Sequence, residues 1–559
     1  MRFATVAHAP PSFPFHNPPS HHYNDEGTKG ALSSENKLCS RVGIDIMQEG
    51  GNAADAIVGT VFCIGVVSMY HSGIGGGGFA LVRRSNGSYD MVDFRETAPA
   101  AAFEDMFRDN INASLHGGLS SATPGELRGL EYLSKTYGRL PWARLVQPAI
   151  DIARNGFTVS YDLARNMDLP DTEFMTSDSA WSQDFAPNGT RLGFGDMMIR
   201  HRYANTLEAI AKHGPAYFYT GELAKATINA VTARNGTMTL NDLAAYNVKI
   251  RAPLSITYRD YKITACEAPA SGAVTLSAMK LLEGYADIGA RHARELSVHR
   301  VIEALKFGFG MRPNLGDSYF LTGMREYQNE MISSNVAAIN RGKISDLHTL
   351  NVSDYDPEGL EIPHDSGTSH IVAADANGLV ISLTTTINNP WGSYIMVPET
   401  GVVMNNQMND FSVPDTSNGF GYIPAPANFI RPRKTPLSSM SPVIVDHLLN
   451  STFYFAAGSA GGSRIISAVL QILWGTLDQG LDVHTVLAQP RFHDQLIPPE
   501  TLFEYGYDND TTAFIANRWH NITWVAPGYT EAEAIRKLPN GSFEASADPR
   551  LADGSGLTF

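Results

Sequence analysis

Hydrophobic positions recur every fourth residue early in the chain. Leu38, Val42 and Ile46 share one face of a helix, with Ser33 or Ser34 placed to cap its start. Ala53 to Tyr70 is almost continuously apolar, interrupted by Asp55, Gly59 and Gly65. A membrane span needs about 20 apolar residues with few polar breaks, so this stretch predicts a buried core helix. His71-Ser-Gly-Ile-Gly-Gly-Gly-Gly78 breaks regular structure, and Phe79 to Val82 reads as a strand. Residues 125–155 and 293–312 carry helical spacing. Ser369 to Ala374 is β-rich, Asp375-Ala-Asn-Gly378 is a turn, and Leu379 to Ile387 is β-rich again, which predicts a hairpin. A Pro- and Gly-rich loop runs from Ser412 to Pro436, and the final twenty residues read as a surface strand and tail. No internal repeat or long linker is visible. Helices flanking β hairpins predict a layered α/β fold.

Composition narrows this picture. At about 150 residues per domain, 559 residues would admit three or four domains. With 43% hydrophobic and 18% charged residues, the chain is neither disordered nor a small disulfide-stapled scaffold. Fifty-seven acidic against 42 basic residues give a net charge of −15, which excludes nucleic acid as a partner. The cysteines are Cys39, Cys63 and Cys266, with no C-x-x-C, so zinc-ribbon and thioredoxin-type motifs are excluded. N-x-Ser/Thr sequons begin at Asn86, Asn112, Asn188, Asn235, Asn351, Asn450, Asn509, Asn521 and Asn540. They point to the secretory pathway, with an extracellular, cell-surface or vacuolar destination. Residues 1–23 are rich in Pro and His and lack an apolar core, so they read as an unstructured tail, not as a signal peptide.

Several motifs fail on context. Gly73 to Gly78 matches G-x-G-x-x-G only as a glycine run, with a helix before it and a strand after it, the reverse of a dinucleotide site. Asp354-Tyr-Asp356-Pro-Glu358-Gly359 begins like a calcium loop, but its twelfth position is Asp365, so it reads as a polar surface loop. No G-x-x-x-x-G-K-[ST], H-E-x-x-H or G-x-S-x-G is present.

The informative segment is Gly367-Thr368-Ser-His370 at the start of the hairpin. Such a step suits self-cleavage: the Thr368 hydroxyl attacks the Gly367 carbonyl, and water hydrolyses the resulting ester. Glycine lets the backbone bend to that geometry. The freed Thr368 amine, with a reference pKa of about 8, then serves as base for its own hydroxyl. Taken alone, a Gly-Thr step in a strand signifies nothing.

Five colinear segments supply the context. They are Gly50-Gly-Asn-Ala-Ala-Asp-Ala with Gly73-Ile-Gly-Gly-Gly, then Thr123-Pro-Gly-Glu-Leu-Arg-Gly with Gly138-Arg-Leu-Pro-Trp-Ala. His299-Arg-Val-Ile-Glu-Ala-Leu-Lys-Phe with Leu315-Gly-Asp follows. Gly367-Thr-Ser-His runs through Thr384-Thr-Thr-Ile-Asn, and Pro436-Leu-Ser-Ser-Met-Ser-Pro pairs with Ala460-Gly-Gly-Ser. Together they resemble the γ-glutamyltransferase (glutathione hydrolase) family of the N-terminal-nucleophile hydrolase superfamily, from about Asn24 to Asp553.

The resemblance implies a four-layer αββα sandwich, one fold made by a large subunit (24–367) and a small catalytic subunit (368–559) in a heterodimer. It implies cleavage of the γ-glutamyl amide of glutathione and related compounds through an ester on Thr368. Water, amino acids or dipeptides accept the acyl group, and no metal or cofactor is implied. Thr368 matches the nucleophile and Thr386 the hydroxyl that orients it. Arg95, Ser438 and Ser439 match the groups on the substrate α-carboxylate. Asn388, Gln407 and Asp410 match the ring around the α-amine, and Gly461 and Gly462 the oxyanion hole. A free amino-acid end asks for such a pairing of guanidinium and hydroxyls with acceptors and a carboxylate. His370 reads as structural, because the amine already serves as base. Cys39 and Cys63 match a disulfide of the animal enzymes, leaving Cys266 as a buried thiol.

Departures bear on the acceptor. Gln407 stands where animal enzymes usually carry Glu, Asn409 replaces a second Asp, and Asn389-Pro-Trp391 replaces Leu-Tyr-Phe. Two alternatives keep different parts of this reading: an acylase of the same superfamily with another acyl group, and an unprocessed γ-glutamyl-peptide-binding glycoprotein.

Overall fold

Apolar spacing becomes helix where a cap allows it. In the computed structural model, which describes residues 27–356, 358–360, 367–414 and 424–559, the first helix is α1 (Lys37–Gln48). Its cap is Asn36, whose side chain accepts the Leu38 N–H at 3.0 Å. Ser33 and Ser34 instead lie in the preceding strand, and the Ser34 hydroxyl bonds that of Ser40 at 2.7 Å. Helix α2 (Ala53–Val67) starts on a capping box between Asn52 and Asp55. Every residue of α2 is buried, which accounts for its unbroken apolar run. A Cys39–Cys63 disulfide ties α1 to α2, and Cys266 is a free buried thiol.

The helical region 125–155 is two helices, α3 (Glu126–Tyr137) and α4 (Trp142–Asn155). Between them the Asp55 carboxylate accepts the N–H groups of Arg139 and Leu140. Farther on come α5 (Gly272–Leu282), α6 (Arg294–Met311) and α7 (Arg464–Leu477). Among the described residues, no helix is long and apolar enough to cross a membrane.

The strands of the two large sheets are β1 (Gly30–Ser34), β2 (Gly77–Arg83), β3 (Tyr89–Asp93), β4 (Lys249–Arg251), β5 (Leu254–Tyr258) and β6 (Tyr261–Ala265). After residue 367 follow β7 (Ser369–Asp375), β8 (Val380–Thr386), β9 (Val443–His447), β10 (Phe453–Ala460), β11 (Glu531–Lys537), β12 (Phe543–Ala547) and β13 (Ser555–Thr558). The seven-stranded sheet runs β13-β1-β7-β8-β2-β3-β4 and the six-stranded sheet β12-β11-β10-β9-β6-β5. All these pairings are antiparallel.

Three apolar layers define the sandwich. Phe79, Leu81 and Val372 of the first sheet meet Ile444, Ala456 and Ile535 of the second. Outside the first sheet, Ile57, Leu127 and Leu145 from the helices pack on Ile371 and Leu383. Outside the second, Leu276, Val301 and Ile466 cover Ile263, Val443 and Phe455. The expected αββα order is therefore present. The expected surface strand in the final twenty residues is β13, which edges one sheet; β12 edges the other, and Phe559 bonds Lys29 and Gly30. The expected tail, residues 1–23, lies outside the described residues, as does Asp365 of the calcium-like loop. In that loop the Asp356 carboxylate accepts the N–H groups of Glu358, Gly359 and Leu360, closing a turn.

Candidate active site

Antiparallel register sets the two threonines side by side. Thr385 of β8 pairs with Ser369 of β7, so Thr386 ends β8 where Thr368 enters β7. The Thr386 hydroxyl donates to the Gly367 carbonyl oxygen and its oxygen accepts the Asn388 N–H at 2.7 Å. Gly367 holds φ +103°, and a Cβ there would meet the Asn388 oxygen at 2.1 Å. That position needs glycine on both counts. Thr368 is buried.

Residues flanking the two threonines are held by buried carboxylates that sequence reasoning missed. Ser369 donates to Glu35 at 2.7 Å, and the other Glu35 oxygen bonds His71 at 2.8 Å. Thr385 donates to Glu126 at 2.8 Å. Burial pushes the Glu126 carboxyl up to about 8. His71-Ser72 and Glu126 sit inside or beside the glycine-run and Thr-Pro-Gly-Glu segments, which is the signal that could have marked them. His370 behaves as expected of a structural residue. It bonds Thr384 at 3.0 Å, and burial lowers it to about 3, so it is neutral.

A second cluster lies past Asn388. Asn388 holds φ +75° and its amide donates to the Asn406 carbonyl at 3.1 Å. The next residue, Gln407, opens a short turn that also carries Asp410. Asp410 Oδ2 accepts from Gln407 Nε2 and from Arg95 Nη2, each at 2.5 Å. Arg95 is 2% exposed, and its Nε and Nη1 have no hydrogen-bond partner among the described residues. A buried cation with unspent donors is costly unless an anionic group meets it. Its neighbour Glu96 stands 3.8 Å from Nε, and burial raises that carboxyl to about 8 against the pull of Arg95.

The serines join through an asparagine that no sequence signal marked. Asn428 donates to the Asp410 carbonyl at 2.7 Å and accepts the Leu437 N–H at 2.9 Å. Ser438 follows, its N–H donating to the Pro269 carbonyl at 2.8 Å. Ser439 Oγ accepts from Arg312 at 2.9 Å. Gly461 and Gly462 leave β10 at φ +123° and +62°, and a Cβ on Gly461 would meet the Tyr529 oxygen at 2.3 Å. Ser382 of β8 bonds the Ala457 carbonyl, and His370 lies against Gly458. Following β10 from there leads Gly461 toward the Thr368 end.

The departures have places too. Asn409 turns to Ser114 at 2.7 Å, and Trp391 is core, bonded to the Asn166 carbonyl and packed with Tyr70, Trp181 and Phe185. Among the described residues, His299, Glu303 and His520 form a cluster with metal-ligand chemistry. Lys306 already brings a positive charge to it, 3.3 Å from His520 and 3.7 Å from Glu303. Glu303 also accepts from Thr349 and Tyr355. A cavity of about 410 Å³ lined by Ile288, Arg294, Trp474 and Tyr507 contains none of the expected site residues.

A family model described as gamma-glutamyltranspeptidase matches residues 39–557. A glutathione hydrolase proenzyme of Arthroderma benhamiae is 48% identical over 574 residues, covering 99% of this chain and 97% of that one. A glutathione hydrolase of Aspergillus flavus is 46% identical, covering 94% of this chain and 89% of its own. The crystal structure of a cephalosporin acylase from Bacillus halodurans shares the fold, with a TM-score of 0.84 over 99% of both chains at 24% identity.

Proposed function

From the premise that the chain belongs to the gamma-glutamyltranspeptidase family, we propose a course for its reaction. The enzyme is a γ-glutamyltransferase and glutathione hydrolase that acts on small γ-glutamyl compounds. The observation that carries the mechanism is the Thr386 hydroxyl on the Gly367 carbonyl. A donor there polarises the carbonyl that Thr368 attacks. The N–O acyl shift gives an ester, water hydrolyses it, and chains 24–367 and 368–559 remain as two subunits of one fold.

The freed amine then takes the proton of the Thr368 hydroxyl as that oxygen attacks the γ-carbonyl of the donor. Arg95 Nε and Nη1, with Ser438 and Ser439, take the α-carboxylate. Asp410, Gln407 and Asn388 take the α-ammonium. Arg95 and Asp410 pair with one another here, and a zwitterion offers each a replacement partner. The N–H groups of Gly461 and Gly462 stabilise the oxyanion, an effect of about 3–4 kcal/mol per donor. The amine leaves, and water or an amino acid or dipeptide releases the γ-glutamyl group.

The acylase reading shares this fold, and the Arg95–Asp410 pair speaks against it because it suits a free amino-acid end. Denatured protein sequenced from its N-termini distinguishes a processed enzyme from an unprocessed binder. A fragment starting at Thr368, with release of aniline from a γ-glutamyl anilide, is expected. A single uncleaved band without turnover would falsify the mechanism.

A further inference from the structure

Sequons separate by local geometry. In Asn86-Gly-Ser88, Asn450-Ser-Thr452 and Asn540-Gly-Ser542 the hydroxyl donates to the asparagine Oδ1 at 2.7 Å. The N–H of the same residue also donates there, at 3.0, 3.1 and 3.0 Å. This turn satisfies Oδ1 and holds each amide in one orientation on an exposed asparagine. The contact spans only two residues. Other sequons lack it. Asn351 is tied to Asp354, the Thr511 hydroxyl goes to Asp508, and the Thr523 hydroxyl goes to Glu500.

The three turns share one end of the molecule. Asn86 lies between β2 and β3, Asn450 between β9 and β10, and Asn540 between β11 and β12. Gly77 pairs with Thr386 at the catalytic end of β2, whereas Arg83 pairs with Val380 at the other end, about 20 Å away at strand rise. Ala460 pairs with Glu531, so the β11–β12 turn is also remote from Gly461. Arg83 joins the tips, donating to the carbonyls of Gly378 and Ser451. Beside Asn450, Leu449 is 97% exposed and Leu448 44% exposed, an apolar tip that a bulky polar cover would shield from self-association.

We propose that Asn86, Asn450 and Asn540 are N-glycosylated, and that their glycans cap the sandwich end remote from Thr368. The donor class is a lipid-diphosphate-linked oligosaccharide. Asparagine Nδ2 bonds to its anomeric carbon, the bond from that carbon to the diphosphate oxygen breaks, lipid diphosphate leaves, and Nδ2 loses one proton to a base.

The test uses the full chain behind a cleavable secretory leader in a eukaryotic host, with glycans released enzymatically in heavy-oxygen water and each sequon mapped by mass spectrometry. Heavy-oxygen aspartate is expected at 86, 450 and 540 in most molecules, and at 351, 509 and 521 in few. An unlabelled member of the trio, or equal labelling of both groups, overturns the assignment. The combined N86Q, N450Q and N540Q variant is expected to keep wild-type kcat/KM on a γ-glutamyl anilide and to self-associate. A several-fold fall in kcat/KM overturns the remote placement, and a monodisperse variant overturns the shielding role.

Discussion

At the scale of single residues, charge in a dry place decides most. Arg95 and Asp410 are both nearly fully buried and 2.5 Å apart. Breaking a buried pair by removing one partner costs about 3–5 kcal/mol. Arg95→Ala also takes the guanidinium from the substrate carboxylate, and losing the charged partner of a buried group costs about 2–5 kcal/mol of binding, so kcat/KM for a γ-glutamyl anilide should fall by roughly a hundred- to a thousand-fold, with KM carrying much of the loss. Unchanged KM in that variant would remove Arg95 from carboxylate binding. Glu126 gives a pH dependence. An ordinary glutamate titrates near 4.5, and burial raises this one to about 8. Between those values the folded chain holds the extra proton, so stability is full below the lower value and falls as pH rises through the upper one. Glu96 and Glu531 add to the same decline. Glu126→Gln keeps an acceptor for Thr385 and should flatten part of the fall in urea midpoint between pH 5 and 8.5. A decline as steep as wild type would refute this assignment.

At the scale of elements, short helices and strands are held by ties between distant segments. The Cys39–Cys63 disulfide joins α1 to α2, with Cα atoms 5.3 Å apart. Closing that loop contributes roughly 3 kcal/mol in the chain-entropy model. The Cys39→Ser, Cys63→Ser double variant should lose about that much unfolding free energy, read as a lower urea midpoint at unchanged m-value, with processing at Thr368 retained. A midpoint equal to wild type would show the link to be stability-neutral. The β7–β8 hairpin was legible because its alternation and its Asp-Ala-Asn-Gly turn are local. The cap of α1 falls at Asn36 and not at Ser33 or Ser34, because those two serines are used in β1.

At the scale of the whole molecule, cleavage at Gly367 would divide a chain whose two parts are interleaved. Strand β7 lies between β1 and β8, and β8 pairs with β2, so the first sheet alternates between the parts. The second sheet is also built from both parts, which meet once in it, where β9 pairs with β6. The processed protein should elute with both parts in one particle and divide into two bands only under denaturing conditions. Separation on a native column would contradict a shared core.

The sequence by itself determined the family, the threonine nucleophile candidates and the residues that match a zwitterion site. Those signals are carried by residue type and order, which the chain preserves without folding. It also fixed the buried α2, since a continuous apolar run has no solvent-facing side to satisfy. Tertiary structure alone decided which charges meet. Arg95 and Asp410 are 315 positions apart, Ser369 and Glu35 are 334 apart, and Asn428 links Asp410 to the serine segment. No local pattern encodes such contacts, because they arise when two sheets fold face to face and bring loop ends into one dry corner. There the lost hydration of each charge forces it to find a particular partner.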